Sequence, residues 1–236
     1  MIIAANFKTN HTRKSTKKYM TELSSFVNSL ESEDKVLVFP PCTALDSFEL
    51  NKQISVGAQN AYPAQNGSFT GEIGTDQLDE FAVKTVLIGH SERRHVLGEK
   101  QSLIARKYAY YAELGYEIVY CIGEPLEVRE SSIESVMEYN LTQLEGIDLS
   151  YENLIVAYEP VWAIGTGLTA SVKQIEETLA NLKETIKAPL LYGGSVKVAN
   201  TKEILEIDNC EGILVGTASW EVDSFCQMVE IAKSIS

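Results

Sequence analysis

The sequence predicts an α/β fold: a closed eight-stranded parallel (β/α)8 barrel forming a single domain over residues 1–236. Short β-branched runs alternate with longer amphipathic stretches eight times along the chain. The short runs are continuously apolar, as expected of parallel strands covered on both faces. Eight such units close a barrel. A doubly wound open sheet fits the alternation too, but the barrel uses all eight units in one domain and leaves no edge strand. The length also allows two ordinary domains, yet no repeat, low-complexity tract or Pro/Gly/Ser-rich linker marks a boundary.

The first strand is IIAAN at 2–6, followed by a helix over 14–30. VLVF at 36–39 precedes a short helix over 44–51, and ISVGA at 54–58 precedes a long loop and a helix over 76–81. TVLIG at 85–89 leads into 91–115, EIVYCI at 117–122 into 126–146, and LIVAY at 154–158 into a loop and 171–187. PLLYG at 189–193 with 197–207, and GILVG at 212–216 with 218–234, complete the set. Strand by strand, the polar residues gather at the carboxyl ends, where a barrel carries its chemistry.

Acidic residues outnumber basic ones 33 to 20, a net charge of −13 that opposes nucleic acid and anionic membrane as partners. A small anion remains compatible, because backbone amides and one or two placed cations bind it locally. The start, MIIAANFKTN, has no basic leader or small-residue cleavage pattern, so no signal peptide is expected. No apolar run reaches membrane-spanning length. Cys42, Cys121, Cys210 and Cys226 show neither C-x-x-C spacing nor a paired His, which implies a reduced, cytoplasmic chain. Cys121 follows an apolar run and reads as a packed core thiol.

In AYEPVWAIGTG, at 157–167, an apolar strand delivers Glu159 into a loop opened by Pro160 and closed by Gly165 and Gly167. Pro160 fixes its own φ and keeps Glu159 out of helical geometry, so the strand stops at the carboxylate. The segment resembles a base beneath a closing lid; alone it reads more simply as a surface Glu at a strand end. His90 lies between a strand end and Ser91, whose side-chain oxygen is expected to cap the next helix. The positive helix end would keep the imidazole neutral, able to donate to a carbonyl oxygen, although a structural brace fits equally. His11 and His95 read as solvated surface residues.

Lys8, just past the first strand, is either a solvated flank or a cation over the barrel mouth, where Glu92 can pair with it. Asn6 supplies an amide for a developing oxyanion. YGGSV and GILVGTA each end a strand in Gly and open a helix, so their N–H groups can converge on a phosphate, though helix–strand packing also calls for Gly.

Together, ANFKTN, AQNAYPAQNGSFTGEIG, GHSERR, CIGE, AYEPVWAIGTG, YGGSV and GILVGTASW resemble the triosephosphate isomerase family over essentially the whole chain. The resemblance implies a TIM barrel that interconverts dihydroxyacetone phosphate and D-glyceraldehyde 3-phosphate through an enediolate, in glycolysis and gluconeogenesis. It implies Glu159 as base, His90 as electrophile, and Lys8 and Asn6 as catalytic substrate contacts. The amides of Gly165, Ser195, Gly216 and Thr217 would bind phosphate, with Glu92, Ser91 and Tyr192 in support, Tyr192 holding the closed lid. No metal or cofactor is implied. The resemblance also implies a homodimer interlocked through the loop 59–74, with Thr70 near the partner's Asn6 and the partner's Lys8.

Phe7 and Thr9 stand where the family usually has Trp and Met, Gly74 where it has Ser, and Trp220 where it has Leu. Thr217 replaces the second Gly of a Gly-Gly pair, and its β-branch is expected to restrict the backbone. The chain is short for the family around 141–151. Two other functions are weighed: another phosphate-binding barrel isomerase, acting for example on a phosphoribosyl compound, and a non-catalytic anion-binding scaffold.

Overall fold

Alternation along each strand decides which side chains fill the barrel and which meet the helices. The computed structural model describes residues 1–163 and 169–235. Its strands are β1 (Ile2–Asn6), β2 (Lys35–Phe39), β3 (Ile54–Ala58), β4 (Thr85–Ile88), β5 (Glu117–Ile122), β6 (Leu154–Tyr158), β7 (Leu190–Tyr192) and β8 (Gly212–Val215). Each pairs in parallel with the next, and β8 closes on β1 with Ile2 opposite Gly212 and Ala5 opposite Val215. The predicted closed barrel is therefore the observed one.

One buried cluster fills the barrel interior: Ala4, Leu37, Phe39, Leu87, Val119, Cys121, Ile155, Ala157, Leu191 and Leu214. Their alternates, such as Ile118, Tyr120, Val156 and Tyr158, pack outward in the larger cluster beneath the helices. Both strand faces are thus apolar, which is why the runs read as continuous. The alternation also sets the site: two residues beyond Ala4 and Ala157 come Asn6 and Glu159.

The outer layer contains α1 (Arg13–Leu30), α2 (Thr75–Asp79), α3 (Gln101–Glu113), α4 (Leu126–Arg129), α5 (Ile133–Thr142), α6 (Val172–Thr185), α7 (Val198–Leu205) and α8 (Val222–Lys233). Local chemistry sets several boundaries. Thr12 caps α1 by accepting from the Ser15 N–H at 3.3 Å, and Ser171 caps α6 through Gln174 in the same way. Among the described residues, no helix is long and apolar enough to cross a membrane.

Three helical expectations change. Residues 44–51 form no α-helix; the chain makes one tight turn at Cys42–Ala44 and then runs irregularly into β3. Polar side chains hold that path: Asp46 accepts from Arg13 at 2.9 Å, the Asn51 N–H donates to Ser24 at 2.8 Å, and the Gln53 N–H donates to the Asn51 side chain at 2.8 Å. Such bonds compete with helix formation. The segment 91–115 divides into a wide turn, Glu92–Val96, and α3, separated by Gly98 at φ +70°. Residues 126–146 divide into α4 and α5 because Ser132 caps a new helix.

Candidate active site

β1 brings Asn6 to the barrel mouth, and its side-chain oxygen accepts from the Lys8 N–H at 3.0 Å. Lys8 has φ 52°, a left-handed conformation costly for a side-chain-bearing residue. Gln59 holds it there, donating from one amide nitrogen to the carbonyls of Lys8 (2.8 Å) and Phe39 (2.9 Å). The Lys8 ammonium lies 2.8 Å from Glu92, the pairing expected from sequence. Gln59 was legible only as part of a strand-end segment, because its partners lie far away in sequence.

After β4, Gly89 at φ +76° turns the chain, and the His90 carbonyl accepts from the N–H groups of Arg93 (2.9 Å) and Arg94 (3.1 Å). Ser91 is not the side-chain cap expected. Its backbone is already helical, and it makes no capping bond. His90 itself receives the Glu92 N–H at Nδ1, 3.2 Å away. An accepting Nδ1 carries no proton, so this contact favours the neutral ring with its proton on Nε2. Nε2 lies 3.2 Å from Glu159 Oε1.

Glu159 is buried against that ring. Its Oε2 accepts from the Ser91 N–H at 3.4 Å, and the Cys121 thiol hydrogen-bonds the same carboxylate. Two glycines make the space. A Cβ at Gly123 would stand 1.7 Å from the Glu159 carbonyl oxygen, and one at Gly193 would stand 2.7 Å from Glu159 Cγ. Cys121 is the buried thiol expected, but it also touches the proposed base. Burial and the Glu159 charge push the thiol pKa well up, keeping it protonated as a donor.

At Glu159, burial raises the pKa, but the charge and hydrogen bond of His90, with the Ser91 N–H and Cys121 thiol, outweigh it and hold the carboxyl below its ordinary value. At His90, burial lowers the pKa, while the charge and hydrogen bond of Glu159 and the charge of Glu92 raise it overall, against Lys8. The expectation of a depressed imidazole pKa is thus reversed while Glu159 sits against the ring. Separating the two by a ligand removes the main raising influence and leaves burial and Lys8 to lower the imidazole pKa against the charge of Glu92.

Asn6, Lys8, His90 and Glu159 line one side of a cavity of about 300 Å³, with Ser195, Gly216 and Thr217 on another. Thr217 has no positive φ and its side chain is exposed, so the expected backbone restriction produces no strain at this turn. Lys197, not singled out from sequence, also lines the cavity. Gly165, like the lid residues 164–167, falls outside the described residues. Tyr192 is buried behind the mouth, its hydroxyl without a hydrogen-bond partner among the described residues. His11 is not simply solvated: its ring contacts Trp220 O at 3.0 Å and packs on Phe7 at 4.5 Å between centroids.

Glu124, known from sequence only as part of CIGE, is fully buried at the root of the 160–163 segment. Tyr158 and the Trp162 indole donate to its Oε1 at 3.0 and 3.1 Å, and Asn140 donates to Oε2 at 3.3 Å. A larger cavity of about 710 Å³ runs outward from Lys8 and His90 past Thr9, Glu72 and Leu97. Among the described residues, no group of three or more His, Cys, Asp or Glu is placed to hold a metal ion.

A closed barrel with a buried carboxylate–imidazole pair, a cation and backbone turns around one cleft defines an acid–base barrel isomerase. The triosephosphate isomerase family model matches residues 1–232. A triosephosphate isomerase of Sulfurovum sp. is 60% identical over 229 residues, covering 97% of this chain and 99% of the relative. That of Wolinella succinogenes is 57% identical over 230 residues, covering 98% and 99%. That of Nitratiruptor sp. is 56% identical over 235 residues, covering both chains fully. The chain belongs to the triosephosphate isomerase family.

Proposed function

We propose that this chain interconverts dihydroxyacetone phosphate and D-glyceraldehyde 3-phosphate in the cytoplasm, serving glycolysis and gluconeogenesis. The observation that carries the site assignment is the 3.2 Å approach of Glu159 Oε1 to His90 Nε2 beside Lys8 at the head of the cleft. Glu159 takes a proton from the carbon next to the carbonyl and returns it to the neighbouring carbon. His90 donates from Nε2 to the substrate oxygens, while Lys8 and Asn6 stabilise the negative charge that develops there. The amides of Gly165, Ser195, Gly216 and Thr217 receive the phosphate, and the segment 160–167 excludes water. Glu92 and Ser91 orient Lys8 and Glu159, and Tyr192 steadies the closed segment.

Glu159→Gln keeps the shape of the side chain and removes the base. Its kcat should fall roughly a thousandfold while binding of a substrate-like phosphate persists. Near-wild-type turnover in a contamination-free preparation would defeat the assignment.

The active form is a homodimer, with the loop 59–74 of one subunit seated in the outer cavity of the other. Val96 and Leu97 beside that cavity are 76% and 66% exposed, and Phe69 on the loop is 42% exposed, an apolar surface suited to mutual burial. Thr70→Arg should dissociate the subunits and lower turnover together, as read by light scattering and assay. A fully active monomer at assay concentration would refute the dependence.

A further inference from the structure

Gln143 immediately follows α5. Its side chain is buried and spans both backbone groups of Gly123: the amide oxygen accepts the Gly123 N–H at 3.1 Å, and the amide nitrogen donates to the Gly123 carbonyl at 2.9 Å. Gly123 is the residue pressed against the Glu159 backbone, where even a methyl group has no room. The Glu159 N–H donates to the Ile122 carbonyl at 2.7 Å, so the backbone that carries the proposed base rests on the 122–123 segment.

Gln143 is itself held. Its backbone carbonyl accepts the Tyr120 hydroxyl at 2.6 Å, and that hydroxyl is 3.1 Å from both the Arg94 guanidinium and the Gln101 amide nitrogen. Arg94 continues the connection, donating to the carbonyls of Gly89 at 2.7 Å and Cys121 at 3.2 Å. One polar network therefore runs from Gly89, next to His90, to Gly123, behind Glu159. The bonds made by Gln143 are buried and directional, so they fix position more tightly than packing alone, and the part-buried bonds of Arg94 extend them.

We propose that Gln143 is a positioning residue for the isomerisation, setting Glu159 against His90 through Gly123, with the Tyr120 hydroxyl setting Gln143. Gln143 touches no substrate. It acts by fixing the backbone from which the base projects, and a displacement of about 1 Å in such a group costs on the order of a hundredfold in rate. The inference rests on Glu159 being the base.

The test compares wild type, Glu159→Gln, Gln143→Met and Tyr120→Phe, with kcat expressed per folded site and KM for glyceraldehyde 3-phosphate measured alongside. Gln143→Met removes both bonds to Gly123 while keeping an unbranched side chain; its kcat should fall at least about tenfold with KM within about twofold of wild type. Tyr120→Phe leaves the Gln143 side chain intact and should lower kcat severalfold in the same pattern. If Gln143→Met does not fold, Tyr120→Phe decides by the same criterion. Unchanged kcat per folded site in the folded variants overturns the proposal even if their melting temperatures fall. Full activity in Glu159→Gln, or an inactive folded wild type, removes the base assignment and this inference together; normal wild-type and inactive Glu159→Gln beside unchanged variants remove this inference alone.

Discussion

Glu159 and His90 set each other's charge state, which gives the site a testable pH response. Burial alone would raise the Glu159 pKa; the His90 ring is first among the groups that reverse that tendency. With Glu159 as the proposed base, turnover should require the ionised carboxylate, so the rate should fall as pH falls through the Glu159 pKa. In His90→Gln the chief lowering influence is gone, burial dominates, and the acidic limb of kcat/KM should move to higher pH as well as to lower rates. A pH profile across the acidic range checks this, and an unmoved limb would show that the ring does not govern the carboxylate. At this scale Glu159, His90, Lys8 and Asn6 were all legible, because a barrel gathers polar strand ends at one mouth. The contacts of Gln59, Cys121, Glu124 and Gln143 were not, since their partners lie tens of residues away.

At the scale of elements, strands were read more closely than helices. Both faces of β5 and β6 are buried, so unbroken apolar runs such as EIVYCI and LIVAY mark their own limits. Helix ends depend on caps and side-chain competition, as the irregular path through Asp46 and Asn51 demonstrates. The α6 cap supplies a quantitative check. Ser171→Ala removes the acceptor for the Gln174 N–H while leaving the reciprocal bond from the Ser171 N–H to the Gln174 side chain, and should destabilise the fold by about 1 kcal/mol. Urea unfolding should show a lower midpoint with an unchanged m-value. An unchanged midpoint would mean that water replaces the cap at no cost.

Across the whole molecule, Glu99, Lys107, Arg93 and Asn60 join α3 to the loops after β3 and β4. Glu99 pairs with Lys107 and receives Arg93 at 3.1 Å, and Lys107 donates to Asn60 at 2.7 Å. Burial works to raise the Glu99 pKa, but Lys107 and Arg93 bring it below its ordinary value of 4.5. A depressed carboxyl pKa stabilises the fold above the unfolded value, and that contribution is lost as pH falls through the folded one. Glu99→Gln leaves Lys107 buried without its counter-charge and should cost about 3 kcal/mol near neutral pH. The gap from wild type should narrow at acid pH, as the native carboxyl protonates below its ordinary value of 4.5. Chemical denaturation at both pH values reads this directly; a pH-independent gap would point to packing instead. A second global expectation follows from the proposed dimer: the melting temperature should rise with protein concentration, because association stabilises the folded subunits.

The sequence by itself determined the count of units, the parallel strands and the polar strand ends, since periodicity and turn residues act over short stretches of chain. It also carried the motifs that place the chain in its family. Only the tertiary structure decided that His90 accepts the Glu92 N–H at Nδ1 in place of a Ser91 side-chain cap, that Cys121 reaches the Glu159 carboxylate, and that Gln143 grips Gly123. The first and last of these contacts fold back within one strand–helix unit, and the pairing of β5 with β6 brings Cys121 to Glu159. Each is set by side chains meeting in space, which short-range periodicity does not encode.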